Sequence, residues 1–301
     1  MTAVLIALVP IFAMVAMGFL MRRFGPYGDG FWLPAERLNY FILFPALLVV
    51  SMARAEIADI RLWPMAVAMV GGVAAVSGGL YALRRRLPVA DAAFTALFQG
   101  AIRPNTYVAL AAAASMYDSA GLTLAAVAIA VVIPLVNVLS VVVLSAHGAA
   151  RRGRDAAGQI LRNPIILACA LGIAINLSGV NLPAVGEEFL RLLGRAALPL
   201  GLLCVGAGLD LAAARAAGAT LAGASALKLL VLPGITALLG LALGMQGATL
   251  AVAVMFNGCP ASAASYILTR QLGGDHRLMA GIITVQTLAA MLTLPLLMLL
   301  V

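Results

Sequence analysis

The chain has 301 residues, 64% of them hydrophobic and only 10% charged, with a formal net charge of +8. A soluble domain carries roughly 25% charged residues, so the composition excludes a water-soluble globular protein. The basic excess sits in short loops between apolar runs, which is the charge pattern of a membrane protein and not of a nucleic-acid binder.

Five long stretches hold no Asp, Glu, Lys or Arg: Leu62 to Leu83, Ser119 to Ala150, Asn163 to Gly186, Leu229 to Thr269 and Leu278 to Val301. A spanning helix needs about 20 mostly apolar residues. Barrel strands would instead alternate in runs of about ten. The chain therefore reads as an all-α polytopic membrane protein. Ten transmembrane helices are predicted, over 2–21, 35–53, 62–83, 91–116, 121–146, 160–179, 188–209, 217–243, 247–271 and 276–300. The first run is followed by Arg22 and Arg23 and not preceded by them, so it reads as a retained span and not as a signal peptide. In the third span "GGVAAVSGG", residues 71 to 79, lacks the lysine of a phosphate loop and reads as close helix packing.

Orientation follows from the arginines. The loops after helices one, three, five, seven and nine carry or border Arg22, Arg23, Arg84, Arg85, Arg86, Arg151, Arg152, Arg154, Arg162, Arg215, Arg270 and Arg277. The opposite loops hold Arg54, Arg61, Arg191 and Arg195, offset by Glu56, Asp59, Asp118, Glu187 and Glu188. Basic loops stay in the cytoplasm, so both termini are expected outside. The longest loop, "HGAARRGRDAAGQ", is a basic linker at 147–159. It separates a first five-helix repeat, 1–146, from a second, 160–301. Five helices per half make the second repeat insert upside down, and inverted repeats characterise secondary transporters.

Two proline pairs support the repeat. Pro104 and Pro260 lie in the fourth helix of each half, 156 residues apart, and Pro45 and Pro199 lie in the second, 154 apart. "FQGAIRPNTYV" surrounds Pro104 and "VMFNGCPASAASY" surrounds Pro260. Each has a glycine shortly before the proline (Gly100, Gly258) and small polar residues around it. Proline removes an amide donor and displaces a carbonyl, and in lipid the freed groups need protein or a wet cavity over them. Helices 4 and 9 are therefore expected to break at Pro104 and Pro260 and to meet near the midplane. The half-helix N-termini there suit an anion. Pro10, Pro134, Pro233 and Pro295 read as simple kinks.

"RPNTYVAL" and "NGCPASAASYILTRQLGG" resemble the paired crossover segments of the auxin efflux carrier family, which includes bacterial carriers of malate and malonate. "LNYFILFPALLV" resembles the family's second-helix motif, and "RNPIILACALGI" the start of its second half. The resemblance covers the whole chain and lacks the long central loop of many plant members, which favours a bacterial inner-membrane protein. It implies a scaffold of helices 1, 2, 6 and 7 beside a transport unit of helices 3–5 and 8–10, with the broken helices crossing inside the latter. It also implies export of a small organic anion, a carboxylate such as malate, malonate or an auxin-like acid.

Arg103 is the foremost candidate for substrate binding. A mid-membrane arginine costs at least roughly 2.5 kcal/mol, and its planar fork matches a carboxylate; snorkelling to the interface is the alternative. Asn105 matches the family's crossover asparagine and can donate to a carboxylate or satisfy a freed carbonyl. Thr106, Asn257, Ser262 and Ser265 complete the two half-sites, with backbone satisfaction as their alternative role. Asn39 and Tyr40 would line the scaffold side. Lys228 and Gln286 stand as coupling or charge-compensating candidates. Asn137 reads as an interhelical hydrogen bond, and Asp91, Asp118 and Asp210 as solvated loop charges. Cys169, Cys204 and Cys259 have no metal or redox spacing. His147 and His276 have no evident partner.

No nucleophile elbow, HExxH or paired catalytic acids occur, so no enzyme is expected. The reading is a secondary or facilitative carrier working by alternating access, with an anion channel or membrane sensor as the rival. No cofactor or metal is called for, and proton or sodium coupling stays open. The expected partners are the anion and the lipid bilayer, with a homodimer as an alternative.

Overall fold

The computed structural model describes residues 2–55, 62–148, 163–180, 182–215 and 218–301. The basic linker with Arg151, Arg152 and Arg154 lies outside the described residues, as do Glu56, Asp59, Arg61 and Arg162.

Among the described residues the secondary structure is helical throughout. Helix α1 (Thr2–Phe24) runs into Gly25 and Pro26, which stop it. Helix α2 (Asp29–Leu38) passes through a π turn (Asn39–Leu43) into α3 (Phe44–Ala53), making one 24-residue span from Gly30 to Ala53. Helix α2 starts six residues before the expected position 35, with Pro34 inside it. The π turn has a local cause. Pro45 cannot donate, and its ring crowds the carbonyl four residues back. Widening the turn, so that Phe44 N–H reaches Asn39 O, relieves this.

Helix α4 (Leu62–Leu83) ends in a short turn of Arg84–Arg86. Helix α5 (Asp91–Ile102) and helix α6 (Thr106–His147) leave Arg103, Pro104 and Asn105 between them, outside both helices. A straight 42-residue helix would measure roughly 63 Å, about twice the hydrocarbon thickness. Non-helical backbone at Tyr117 and Asp118 divides α6, with Asp118 at a φ of 49°.

Helices α7 (Pro164–Ser178), α8 (Ala184–Ala207) and the short α9 (Leu211–Arg215) come next. Helix α10 (Ala219–Ala226) passes through a second π turn (Leu227–Val231) into α11 (Leu232–Ala242). Here Pro233 imposes the same widening, with Leu232 N–H reaching Leu227 O. Helix α12 (Gly247–Gly258) stops before Cys259 and Pro260. Helix α13 (Ala263–Leu272) restarts after them, and α14 (His276–Leu300) ends the chain.

Among the described residues, seven helical segments are long and apolar enough to cross a membrane: Val4–Phe24, Gly30–Ala53, Leu62–Arg86, Thr106–His147, Ala184–Ala207, Ala219–Ala242 and His276–Leu300. Two shorter apolar helices are Pro164–Ser178 and Gly247–Gly258. Ile6, Phe41, Trp63, Leu177, Phe189, Leu238 and Leu292 stand exposed on the outer faces, as side chains in contact with lipid would.

Most of the packing falls into two groups, joined by contacts of α6 with α1, α3, α7 and α8 and of α14 with α1. Helices α1, α3, α7 and α8 pack on one another, and α4 to α6 pack with α10 to α14. In the first group a methyl placed on Gly206 would overlap the Val15 carbonyl, and one on Gly18 would overlap that of Leu203. Helices α1 and α8 therefore meet backbone to backbone, as small residues permit in a bilayer.

Candidate functional site

The two interrupted segments meet. Pro104 and Ala261 form an isolated antiparallel bridge, and the Asn105 N–H donates to the Pro260 carbonyl at 2.7 Å. Around this junction most freed backbone groups find side-chain partners. Pro104 offers no N–H to the Gly100 carbonyl four residues earlier. Gln286 Nε2 takes that role at 3.0 Å and also donates to Ala224 O at 3.3 Å, while Gln286 Oε1 accepts from Ala261 N–H at 2.8 Å. Gln286 thus uses both ends of its amide on the junction's backbone.

Lys228, fully buried in the second π turn, donates from Nζ to Asn257 O at 3.0 Å and Ile102 O at 3.4 Å. Asn257 Nδ2 donates to Thr236 Oγ1 at 2.8 Å and to Met69 O at 3.3 Å, tying α12 to α11 and α4. Gln99 Nε2 donates to Thr269 Oγ1 at 2.7 Å, tying α5 to α13. Lys228, Asn257 and Gln286 therefore hold the junction together from within the helix bundle.

Both restarting helices are capped by their own side chains. Asn105 Oδ1 accepts from Tyr107 N–H at 3.1 Å and Val108 N–H at 3.3 Å, and Ser262 Oγ accepts from Ala264 N–H at 3.3 Å. These are N-cap bonds, and they turn the orphan amides of a first helical turn inward on the cap. Several buried polar atoms keep no partner: Arg103 Nε and Nη1, Asn105 Nδ2 and Ser265 Oγ. Thr106 is buried at the first position of α6.

Arg103 lines a cavity of about 1320 Å³ together with Tyr40, Asn137, Ala264 and Tyr266. Asn39, buried one residue before Tyr40, lies so close to α8 that a methyl on Gly201 would be 2.8 Å from its Nδ2 and from the Tyr107 ring. The structure thus brings Tyr40 and Arg103 to one cavity and places Asn39, Asn105, Thr106, Ser262 and Ser265 on the segments beside it. Lys228, Asn257 and Gln286 are not among its lining residues.

Glu36, Arg37, Asn163 and Arg270 also line the cavity, and the sequence alone does not single them out. Glu36 stands three residues ahead of Asn39, in the first turn of the expected second span, where a carboxylate is ordinary. Asn163 caps α7 by accepting from Ile165 N–H at 2.9 Å. Asn137, expected in an interhelical bond, faces the cavity.

Two expectations for the charged residues change. His147 has a partner: its Nδ1 lies 3.1 Å from Asp91 Oδ1, and its ring meets Phe94 edge-on at 5.3 Å. Asp91 is not simply solvated, since Arg84 also bonds it while lying over the Phe94 ring at 4.7 Å. The Arg84 hydrogen bond, then that of His147, hold the Asp91 carboxyl below the usual carboxylate range. Asp210 caps α9 by accepting from Ala212 and Ala213 N–H.

Residues 154–298 match the family of membrane transport proteins. The second half of the chain is thus similar to membrane transport proteins. Over 289 residues the chain is also 23% identical to an uncharacterized transporter of Methanothermobacter thermautotrophicus, an alignment spanning 95% of this chain and 94% of that protein. The polar groups of this chain converge on a helix junction and a cavity, an arrangement that suits translocation.

Proposed function

We propose that the protein carries a small organic anion across the cytoplasmic membrane by alternating access, with the anion seated beside the junction at Arg103. The observation that carries this reading is the set of buried donors without acceptors: Arg103 Nε and Nη1, and Asn105 Nδ2. Buried polar groups are ordinarily paired, and each unpaired one costs roughly 1–3 kcal/mol. A carboxylate supplies the missing acceptors and matches the guanidinium fork. The positive ends of α6 and α13 add to the attraction.

The reading includes ten spans in two inverted five-helix repeats. Pro104 and Pro260 would occupy equivalent breaks in helices 4 and 9, and the division of α6 at Tyr117 and Asp118 would separate the fourth span from the fifth. The two packing groups would act as scaffold and transport unit. With the basic loops in the cytoplasm, the exposed Arg37 and Arg270 would set the cavity mouth on the cytoplasmic side. A malate, malonate or auxin-like carboxylate fits the charge; Glu36, on the same cavity wall, opposes overly acidic cargo.

The test is uptake by purified protein in liposomes, using a carboxylate panel with imposed pH and sodium gradients. Saturable flux with counterflow of a preloaded carboxylate is expected. Flux that rises linearly with concentration and shows no counterflow would make the protein a channel.

A further inference from the structure

Lys228 raises a question that anion binding leaves unanswered. It is fully buried, and among the described residues it forms no ion pair with a carboxylate. Its ammonium donates instead to two backbone carbonyls, those of Ile102 and Asn257. Both belong to the last turns of interrupted helices, since α5 ends at Ile102 and α12 at Gly258. The last carbonyls of a helix lack intrahelical partners. Asn257 O would ordinarily accept from Ala261 N–H, but that donor is bonded to Gln286.

The electrostatics are simple. Each helix C-terminus carries about half a negative charge. Two of them converging place about one negative charge beside one ammonium. In carriers built on broken helices, unwound carbonyls and half-helix C-terminal ends are where a coupling sodium ion is held. Here that place is filled by a side chain of the protein itself. Asn257 Oδ1, buried and without a hydrogen-bond partner, puts a further oxygen on the same residue.

We infer that Lys228 is the resident cation of the helix junction: its ammonium substitutes for a bound sodium ion between the ends of α5 and α12, so the transporter needs no sodium there. Lys228 is on this view a positioning residue, holding the two half-helices together and leaving their N-terminal partners free for the anion. The inference deepens the carrier reading and rests on it, but its test uses no substrate and therefore succeeds or fails independently of the anion's identity.

The experiment measures thermal unfolding of the purified full chain in sodium, lithium, potassium and choline chloride at equal ionic strength. Wild type should be indifferent to the cation. Lys228→Ala, which removes the charge and leaves room, should melt lower in choline and regain stability saturably with sodium or lithium, as a ligand of the folded state does. Lys228→Met removes the charge but fills the space, so it should melt lower and stay flat in every salt. A wild type stabilised by sodium over choline would overturn the inference. So would a Lys228→Met variant as stable as wild type, or a Lys228→Ala variant that no small cation restores.

Discussion

The amide of Asn105 donates to the carbonyl of Pro260 at 2.7 Å, joining the two halves of the chain where each loses its helix. Each proline creates what the other half uses. Pro104 cannot donate, so the next residue is the first able to do so, and its amide reaches a carbonyl released by the break at Pro260. The junction is thus a hydrogen-bonded unit that neither half could form alone, and it sets the positions of Arg103 and Asn105.

Arg103→Ala is expected to weaken anion binding by about 10- to 150-fold, since a charged hydrogen bond is worth roughly 1.5–3 kcal/mol. Arg103→Lys keeps the charge but loses the fork and should recover only part of this. Binding measured in detergent beside thermal unfolding checks both. Wild-type affinity in a folded Arg103→Ala variant would place the anion elsewhere.

Asn105 has two separable roles. Its Oδ1 caps α6, while its Nδ2 has no partner. Asn105→Asp retains a good cap, so it should fold with near-native stability yet lose anion binding through the missing donor and the added charge. Asn105→Ala should lose about 0.5–2 kcal/mol of stability as well. Equal anion affinity in Asn105→Asp and wild type would remove Nδ2 from the site.

Gln286→Leu leaves Gly100 O and Ala261 N–H without their partner, while Ala224 O keeps the Leu227 N–H. Orphaning two buried backbone groups should destabilise the fold by about 2 kcal/mol or more. Chemical or thermal unfolding reads this directly. A variant within about 1 kcal/mol of wild type would mean that those backbone groups pair elsewhere.

The Asp91 cluster has a definite pH signature. A carboxyl held below its unfolded value contributes stability that is present above the unfolded pKa and lost as pH falls through the folded one. The unfolded value is about 3.9. The Arg84–Asp91 contact should therefore be insensitive to pH from neutrality down to about 4 and weaken only below. Comparing Asp91→Asn with wild type across this range tests it: a difference that changes between about pH 8 and 5 would assign the titration to another group.

The basic linker should lie in the cytoplasm. A cysteine introduced as Gly153→Cys should react with a membrane-impermeant maleimide only after the cells are permeabilised. Labelling in intact cells would invert the proposed orientation.

Apolar run length, loop charge and proline placement are local properties, and the sequence by itself determined the features that depend on them alone. It marked a helical membrane protein, the positions of most spans, and Pro104 and Pro260 as the places of interest. Bilayer thickness and the missing proline amide act on a segment whatever its neighbours are. Arg103 and Tyr40, which line the cavity, also stand out in the sequence, because a polar residue in an apolar run is conspicuous. What only the tertiary structure decided is who pairs with whom. Lys228 finds Ile102 across 126 residues, and Gln286 finds Gly100 across 186. Both stand in the sequence as coupling candidates, and in the fold both hold backbone carbonyls. Glu36 is inconspicuous at a helix start, and only the packing of α2 beside the junction brings it to the cavity wall. Hydrogen bonds depend on distance in space, and separation along the chain carries no trace of it until the helices pack.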